Sequence, residues 1–455
     1  MPKVAFTSVG CKLNRYEIQV MSESLQDRGF VTVPFSALAD CYVVNTCTVT
    51  SDADTSSRQL IRRARRRNPA ARVVVTGCYA QLRPDELQEL GIDAIVSNRE
   101  KEKLPELVAS LFGQNRDTPT DNSESGQTRF ITGMNNLTRA FVKIQDGCDE
   151  ECTFCTIWMA RGPVVSRPAD AIVREIKALA QNDYKEVALT GVHIGKYDYE
   201  RLDLVGLLKT ILDETPVNRI RFSSLNPLEI DDDLVRLMST NPRICPHVHL
   251  SIQSGDDDVI RWMGRKYSRQ SLLNITGRLR DSVPGITIGA DFIVGFPGET
   301  DAQFENSCTL LEQADIHYLH VFPYSDRPGT RASAMPRKVP DSIKSERTRR
   351  LRQLGQEKKL IHIKSFIGRK LLVLVENRDI PGDAYSTGLS ENYLRVNIVG
   401  ANQFKGKVVK VIPYAVVGDK LTANVNIGTT SGKKELTIPG DTNIICEPLG
   451  SDLTP

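Results

Sequence analysis

Short apolar segments alternate with helical stretches along most of this 455-residue chain, and that alternation limits the folds it can adopt. In the first part of the chain, strands are predicted over 3–8, 41–45 and 72–76, and helices over 14–28 and 53–67. Strands that alternate with helices indicate a parallel sheet covered by helices. Because 455 residues exceed the capacity of one core, we expect two or three domains, the first an α/β domain over residues 1–113.

A polar segment, residues 114–133, follows and is predicted to be a linker because it has almost no large apolar side chains. The alternation then resumes over a core predicted at 134–363, with strands at 141–145, 186–191, 219–224, 247–252, 286–296 and 317–322. This pattern fits a partial or complete barrel, or an open doubly wound sheet. In each case the functional loops lie at the carboxyl ends of the strands.

The last quarter of the chain changes character. A long charged helix is predicted over 341–364, and β-rich segments divided by Gly and Asn follow it. These segments predict a small closed barrel over residues 364–430. Residues 431–455 are predicted to be a tail.

Composition narrows the class of protein. No run of about 18 apolar residues is present, so no membrane span is expected. The segment MPKVAFTSVG lacks the features of a signal peptide, which predicts a cytoplasmic location where thiols stay reduced. The ten cysteines are therefore expected to include metal or cluster ligands rather than disulfides.

Three of these cysteines lie in the segment GCDEECTFCTIW, directly after the first strand of the core. Cys148, Cys152 and Cys155 have the spacing C-x3-C-x2-C. Structural zinc takes four ligands, whereas three thiolates on an iron–sulfur cluster leave one iron open for a small molecule. The alternative is a zinc site that borrows a distant Cys or His.

A second set lies in the first domain, where each cysteine follows a predicted strand. Cys11, Cys47 and Cys78 stand in GCKLN, NTCTVT and TGCYAQ. Because the carboxyl ends of parallel strands share one edge of a sheet, the three thiols are expected to converge. The alternative is three unrelated core cysteines.

The C-x3-C-x2-C loop at the start of a β/α array, with Phe154 before its last cysteine, resembles the radical S-adenosylmethionine (SAM) superfamily. With the second cysteine set and the small barrel, the chain resembles the methylthiotransferases, whose C-terminal barrel is the RNA-binding TRAM domain. The resemblance implies a partial (β/α)6 core barrel, SAM, a SAM-binding [4Fe-4S] cluster on Cys148, Cys152 and Cys155, and an auxiliary [4Fe-4S] cluster on Cys11, Cys47 and Cys78. Later strands end in loops expected to line the SAM pocket, through Gly191, Ser223, Gln253 and Asp291.

The motif SVGCKLNRYE resembles the branch of the family that acts on N6-threonylcarbamoyladenosine beside the tRNA anticodon. The isopentenyladenosine branch usually has GCQMN, and the ribosomal-protein branch GCPKN. The resemblance implies that a first SAM methylates a sulfur at the auxiliary cluster and a second yields a 5′-deoxyadenosyl radical. The product then carries CH3–S at C2 of adenine. One departure is Trp158, which stands where the family commonly has proline.

The implied partners are the tRNA anticodon stem-loop, an electron donor such as a flavodoxin or ferredoxin, and a sulfur source. Arg161 or Arg167 is expected to pair with the carboxylate of the threonyl group. The run RQLIRRARRRNPAAR, residues 58–72, is either a phosphate-binding surface or a solvated helix face.

Three alternatives stay open at this point. One is a methylthiotransferase acting on isopentenyladenosine or on a ribosomal-protein aspartate. Another is a non-catalytic RNA-binding protein with two zinc sites. The third is a radical SAM enzyme whose N-terminal cluster only relays electrons.

Overall fold

A computed structural model describes residues 1–114, 130–135, 137–376 and 385–425. Its N-terminal part is a parallel five-stranded sheet in the order β2-β1-β3-β4-β5. The strands are β1 (Lys3–Ser8), β2 (Val31–Val33), β3 (Cys41–Thr46), β4 (Arg72–Gly77) and β5 (Ala94–Val96). The helices around it are α1 (Lys12–Asp27), α2 (Ser51–Arg67), α3 (Cys78–Leu82), α4 (Pro84–Gln88) and α5 (Leu104–Leu111).

Both faces of this sheet are covered, so its central strand reads as a continuous apolar run. Every residue of β3 is buried. Tyr42 and Val44 belong to one apolar cluster, and Cys41 and Val43 to another. Successive side chains of a strand point to opposite faces, which places one cluster on each side of the sheet.

The middle of the chain forms a partial barrel. Its strands pair in parallel in the orders β6-β9-β12 and β13-β14-β15-β16. Because only Ser223 separates β12 from β13, the two sheets continue into one six-membered array, and no strand pairing between β6 and β16 closes it within the described ranges. The partial (β/α)6 barrel implied by the resemblance is therefore confirmed.

The bounds of the core strands follow. They are β6 (Ala140–Lys143), β7 (Gln145–Asp146), β8 (Val165–Ser166), β9 (Glu186–Thr190), β10 (Asp198–Tyr199), β11 (Leu202–Asp203), β12 (Arg219–Phe222), β13 (Ser224–Leu225), β14 (His247–Gln253), β15 (Thr287–Val294) and β16 (Tyr318–Pro323). The core helices are α6 (Ile157–Arg161), α7 (Ala169–Gln181), α8 (Leu204–Glu214), α9 (Asp232–Thr240), α10 (Asp257–Trp262), α11 (Arg269–Ser282), α12 (Asp301–Gln313) and α13 (Asp341–Lys364).

The C-terminal part is a closed barrel in the order β17-β18-β19-β21-β20, as the sequence predicts. Its strands are β17 (Leu371–Val375), β18 (Tyr385–Ser390), β19 (Arg395–Val399), β20 (Val408–Val417) and β21 (Lys420–Val425). This barrel abuts the amino-terminal ends of the core strands, because Arg219 donates to the carbonyl of Leu372 at 2.7 Å and Arg221 to that of Ser390 at 3.1 Å.

Several short or weakly apolar strands were not anticipated from the sequence, including the two-residue strands β8, β10 and β11. β2 and β5 are three-residue edge strands, and β18 (YSTGLS) lacks the apolar character of its neighbours. Most of the predicted linker and the whole predicted tail lie outside the described residues, so the domain bounds stay predictions. Among the described helices, none combines the length and the apolar character that a membrane crossing needs.

Candidate active site

The three N-terminal cysteines follow three neighbouring strands of one sheet. Cys11 precedes α1, Cys47 follows β3, and Cys78 opens α3 directly after β4. Asn14 ties the first two loops together, since its side-chain amide donates to the carbonyl of Val9 at 2.8 Å and to that of Thr46 at 3.2 Å. The asparagine of GCKLN is thus a positioning residue for the thiols.

Glycines let these loops approach one another. A Cβ on Gly10 would lie 2.8 Å from the sulfur of Cys47. Gly77 has a φ of +104°, and a Cβ there would lie 2.3 Å from the carbonyl oxygen of Thr46. Both positions therefore exclude side chains, which packs the cysteine loops together at one edge of the sheet.

The three core cysteines occupy a loop held by backbone hydrogen bonds. The amide of Cys148 donates to the carbonyl of Gly162 at 3.0 Å, and the amide of Cys155 to that of Cys152 at 3.0 Å. The sulfur of Cys155 accepts from the amide of Ile157 at 3.4 Å. The protein's own hydrogen bonds therefore hold this loop in its conformation.

All six thiols line one cavity of about 250 Å³, although they come from two parts of the chain. Gly191 and Arg265 also form part of its wall. Within each set the thiols interact electrostatically, Cys47 with Cys11 and Cys78, and Cys155 with Cys148 and Cys152. The donors therefore form two separate three-thiol groups that face one space.

The thiols suit resident clusters chemically. Burial raises the pKa of Cys47 and of Cys155 to about 12. Such thiols stay protonated at neutral pH unless a bound cation stabilises the thiolate. Three sulfur donors with an adjacent cavity fit a cluster that keeps one iron open.

One histidine approaches the core thiols. His193 Nδ1 lies 3.7 Å from the sulfur of Cys148, and its Nε2 contacts the carboxylate of Glu229. Burial opposes protonation, but Cys148 and Glu229 together raise the pKa of His193 to about 9. A protonated imidazole donates to sulfur and offers no lone pair to a metal. Even so, His193 is the nearest candidate for the borrowed ligand of a zinc site.

The residues expected in the SAM pocket do not all share one wall. Gly191 lines the six-thiol cavity, where a Cβ would lie 2.7 Å from the carbonyl oxygen of Gln145. Gln253 and Asp291 line a second cavity of about 210 Å³ that shares Cys155 with the first. Ser223 lines neither of these two cavities, whereas its neighbour Ser224 lines the six-thiol cavity.

Asp291 is already engaged with two imidazoles inside the barrel. Its Oδ1 lies 2.8 Å from Nε2 of His249 and 3.3 Å from Nδ1 of His320. Burial opposes ionisation of this carboxyl, but the two histidines hold its pKa below the ordinary range. Asp291 was expected in the SAM pocket from the sequence, and these two histidine partners were not anticipated.

The two arginines expected to read the substrate are both committed to the protein. Arg161 bonds to Glu17 at 2.8 Å and to Asp146 at 3.0 Å, with a side chain that is 3% exposed. Arg167 bonds to Glu175 at 2.6 Å and to the hydroxyl of Tyr16 at 3.0 Å. Both therefore hold α1 against the core. Arg161 also lines the six-thiol cavity, whereas Arg167 lines neither that cavity nor the second one, although its buried Nε and Nη2 lack a partner within the described residues.

Glu17 is the centre of this interdomain network and was missed from the sequence. It also accepts from Lys101 at 2.6 Å. Burial opposes ionisation, but Arg161, Lys101 and Lys143 hold the pKa of Glu17 well below its usual range. A second buried pair, Arg327 with Asp54 at 2.6 Å, also joins the two parts. Neither pair has a local sequence signal.

The arginine run of α2 divides into two groups. Arg58 bonds to Tyr79 at 2.7 Å, Arg65 pairs with Asp93 at 2.5 Å, and Arg67 donates to the carbonyl of Phe35. Three further arginines of the helix are exposed and make no ion pair within the described residues: Arg62, Arg63 and Arg66. Part of the run is therefore structural, and the remainder forms a free cationic face.

Comparison with known proteins agrees with this architecture. The chain matches the uncharacterized protein family UPF0004 over residues 3–97 and the radical SAM superfamily over residues 142–311. A solved structure, the radical SAM methyltransferase TsrM of Kitasatospora setae, has a TM-score of 0.54 and 18% identity, covering 73% of this chain and 77% of that one. This likeness concerns the fold. In class, the chain is a radical SAM protein with an added N-terminal domain.

Two relatives define it further. The threonylcarbamoyladenosine tRNA methylthiotransferase MtaB of Thermotoga maritima is 36% identical over 402 residues, which cover 88% of this chain and 92% of that protein. The tRNA-2-methylthio-N(6)-dimethylallyladenosine synthase of Oceanobacillus iheyensis is 30% identical and covers 90% of this chain and 81% of that protein. The chain belongs to the MtaB-like methylthiotransferase family.

Proposed function

We propose that this protein attaches a methylthio group to C2 of N6-threonylcarbamoyladenosine at position 37 of tRNA, using radical SAM chemistry. The observation that carries the proposal is the single cavity lined by two sets of three thiols, in a chain whose relatives include MtaB proteins. An electron-relay role for the N-terminal set fits less well, because relay clusters are usually fully ligated by thiolates.

Two [4Fe-4S] clusters and SAM complete the site in this proposal. When bound, the cluster on Cys148, Cys152 and Cys155 would supply the electron that cleaves SAM, and the cluster on Cys11, Cys47 and Cys78 would present the sulfur. The carbon to be modified bears a C–H bond without acid–base reactivity. Homolytic chemistry at this carbon therefore needs no general base.

The chain's own residues prepare this chemistry by the positions they fix and by the charge they place beside the thiols. Gly10 and Gly77 bring the N-terminal thiol loops together, and Arg161 with Glu17 holds them over the core. Arg265 adds a fixed positive charge to the wall shared with the core thiols, within electrostatic range of Cys152. Gly191 leaves backbone room where a SAM molecule would lie.

RNA contacts are proposed on two exposed surfaces. One is the cationic face of α2, formed by Arg62, Arg63 and Arg66. The other is β20 of the C-terminal barrel, where Lys410 and Tyr414 are both exposed, Tyr414 to 54%. Arginine and lysine neutralise phosphates, and exposed aromatic rings stack on unpaired bases. An electron donor such as a flavodoxin or ferredoxin, a sulfur source and a cytoplasmic location belong to the same proposal.

The proposal is tested by nucleoside mass spectrometry. The protein is expressed in a host whose tRNA carries N6-threonylcarbamoyladenosine but not its methylthio derivative. We expect the 2-methylthio product with the natural chain and with Cys308→Ala, a buried cysteine outside the cavity. Cys47→Ala and Cys152→Ala are expected to give none. An isopentenyl product would move the protein to the other tRNA branch, and the absence of any product in an iron-loaded protein would refute the assignment.

A further inference from the structure

Three arginines converge on one buried carboxylate at the base of the partial barrel. Arg221 Nε lies 2.7 Å from Glu186, Arg219 Nη1 lies 3.5 Å from it, and Arg139 Nη1 lies 3.6 Å from it. Arg219 and Arg221 belong to β12, Arg139 directly precedes β6, and Glu186 is the first residue of β9. One carboxylate cannot balance three guanidinium groups.

Further cations and few anions surround this cluster. The ammonium of Lys12 interacts electrostatically with Arg139 and Arg221, and with His247. Glu391 is the second carboxylate nearby, and burial raises its pKa. Within the described residues, no carboxylate other than Glu186 forms an ion pair with Arg139, Arg219 or Arg221.

Two buried polar atoms of this region lack a partner in the described part of the chain. They are Nη1 of Arg221 and Nδ1 of His247. Arg221 is fully buried and His247 is 2% exposed. A buried, unpaired guanidinium N–H costs free energy, so this position favours an acceptor supplied from outside.

There is room for such an acceptor beside the cluster. A cavity of about 190 Å³ is lined by Arg139, Tyr318, His320 and Tyr393, on the side where the barrel is not closed. Lys12 links this region to the six-thiol cavity, because it directly follows Cys11 at the start of α1, and α1 packs against β6. Lys12 is within electrostatic range of Cys11 as well as of Arg139 and Arg221, which places it between the cysteine loop and the cation cluster.

We propose that Lys12 and Arg139, with Arg221 behind them, bind the carboxylate of the substrate's threonyl group. The inference rests on the proposed function and replaces Arg161, which Glu17 and Asp146 hold, and Arg167, which Glu175 holds and which lines neither the six-thiol cavity nor the cavity beside the cluster. A carboxylate supplies the negative charge that the cluster lacks. A nucleoside with an apolar N6 substituent would leave these cations unpaired, which disfavours its binding.

The test compares three anticodon stem-loops that differ only at position 37. One carries N6-threonylcarbamoyladenosine, one carries its methyl ester, which removes the negative charge, and one carries adenosine. Their dissociation constants for the cluster-loaded protein are measured by fluorescence anisotropy. Because the acid can form hydrogen bonds between charged groups and the ester cannot, we expect the natural chain to bind the acid about tenfold to hundredfold more tightly than the ester.

Lys12→Gln and Arg139→Gln are each expected to reduce this preference to about threefold or less, while Lys12→Arg keeps it. Lys209→Gln and Arg174→Gln change exposed cations far from the cluster and serve as matched controls. Iron content and melting temperature show that each variant is folded and loaded.

Two results would overturn the inference. One is an unchanged acid-over-ester preference in Lys12→Gln and Arg139→Gln, which would place the carboxylate reader elsewhere. The other is an equal loss of affinity for acid and ester, which would assign these residues to the RNA backbone. Failure of the proposed function looks different, because the natural chain would then form no methylthio product on the threonylated stem-loop.

Discussion

Gly147 offers a sharp test of the SAM-cluster loop because it directly precedes Cys148. Its φ is +76°, and a Cβ there would lie 1.8 Å from the carbonyl oxygen of Pro163 and 2.7 Å from that of Gly162. Real Cβ contacts essentially never fall below 3.0 Å, so the backbone at Pro163 would have to retreat by about 1.2 Å. Gly147→Ala therefore forces the backbone of residues 162 and 163 away from the backbone at Gly147.

The magnitude follows from two contributions. The left-handed backbone conformation costs alanine about 1–2 kcal/mol. The retreat of residues 162 and 163 also breaks the 3.0 Å hydrogen bond from Cys148 to Gly162, which contributes about 1 kcal/mol. A cost of about 2–3 kcal/mol lowers the population of the native loop by about 30-fold to 150-fold.

The assay is iron and sulfide content per chain after anaerobic reconstitution. We expect Gly147→Ala to hold about half the iron of the natural chain, because the N-terminal thiols are untouched. Gly91→Ala is the matched control, since Gly91 has a φ of +66° but a Cβ there meets nothing within 4 Å. Full iron loading in Gly147→Ala would refute the reasoning about this loop.

Two further predictions concern stability. Arg161→Leu removes the cation from a buried interdomain network, so we expect the free energy of unfolding to fall by about 3–5 kcal/mol and the melting temperature to fall with it. Arg174→Leu, at an exposed ion pair, is expected to change the melting temperature little. Equal melting temperatures in the two variants would contradict a structural role for Arg161. Burial and, to a lesser extent, Arg369 lower the pKa of His362 from 6.5 to about 4. As pH falls, the unfolded chain therefore binds this proton before the folded chain does. The free energy of unfolding decreases between about pH 6.5 and pH 4, by up to about 3 kcal/mol. His362→Gln is expected to flatten that part of the pH profile of the melting temperature, and an unchanged slope would contradict it.

The parts of the fold with strong local patterns were predictable. β3 and β4 read as apolar runs between helices, and the order of strands and helices alone places the thiols that follow them at one sheet edge. β2, β5 and β18 were missed because short edge strands and a Gly-containing polar strand have weak patterns.

Partners distant in the chain were not predictable. Arg161 stands close to the cysteine loop in sequence, which suggested a role in substrate binding. Its acceptor Glu17 lies 144 residues away, on a helix of the other domain. The same limit applies to Lys12 and Arg139, since only the fold brings α1 against β6. Local pattern gives the elements, whereas long-range charge pairing decides which cations remain free.

Six thiols in two groups of three face one cavity, and we expect each group to bind its own cluster. Iron and zinc analysis combined with Mössbauer spectroscopy tests this expectation most directly, on the natural chain and on two triple variants, one with Cys11, Cys47 and Cys78 changed to alanine and one with Cys148, Cys152 and Cys155 changed to alanine. We expect two [4Fe-4S] clusters in the natural chain and one in each variant, with no zinc. Stoichiometric zinc, or a triple variant that loses all iron, would contradict two independent cluster sites.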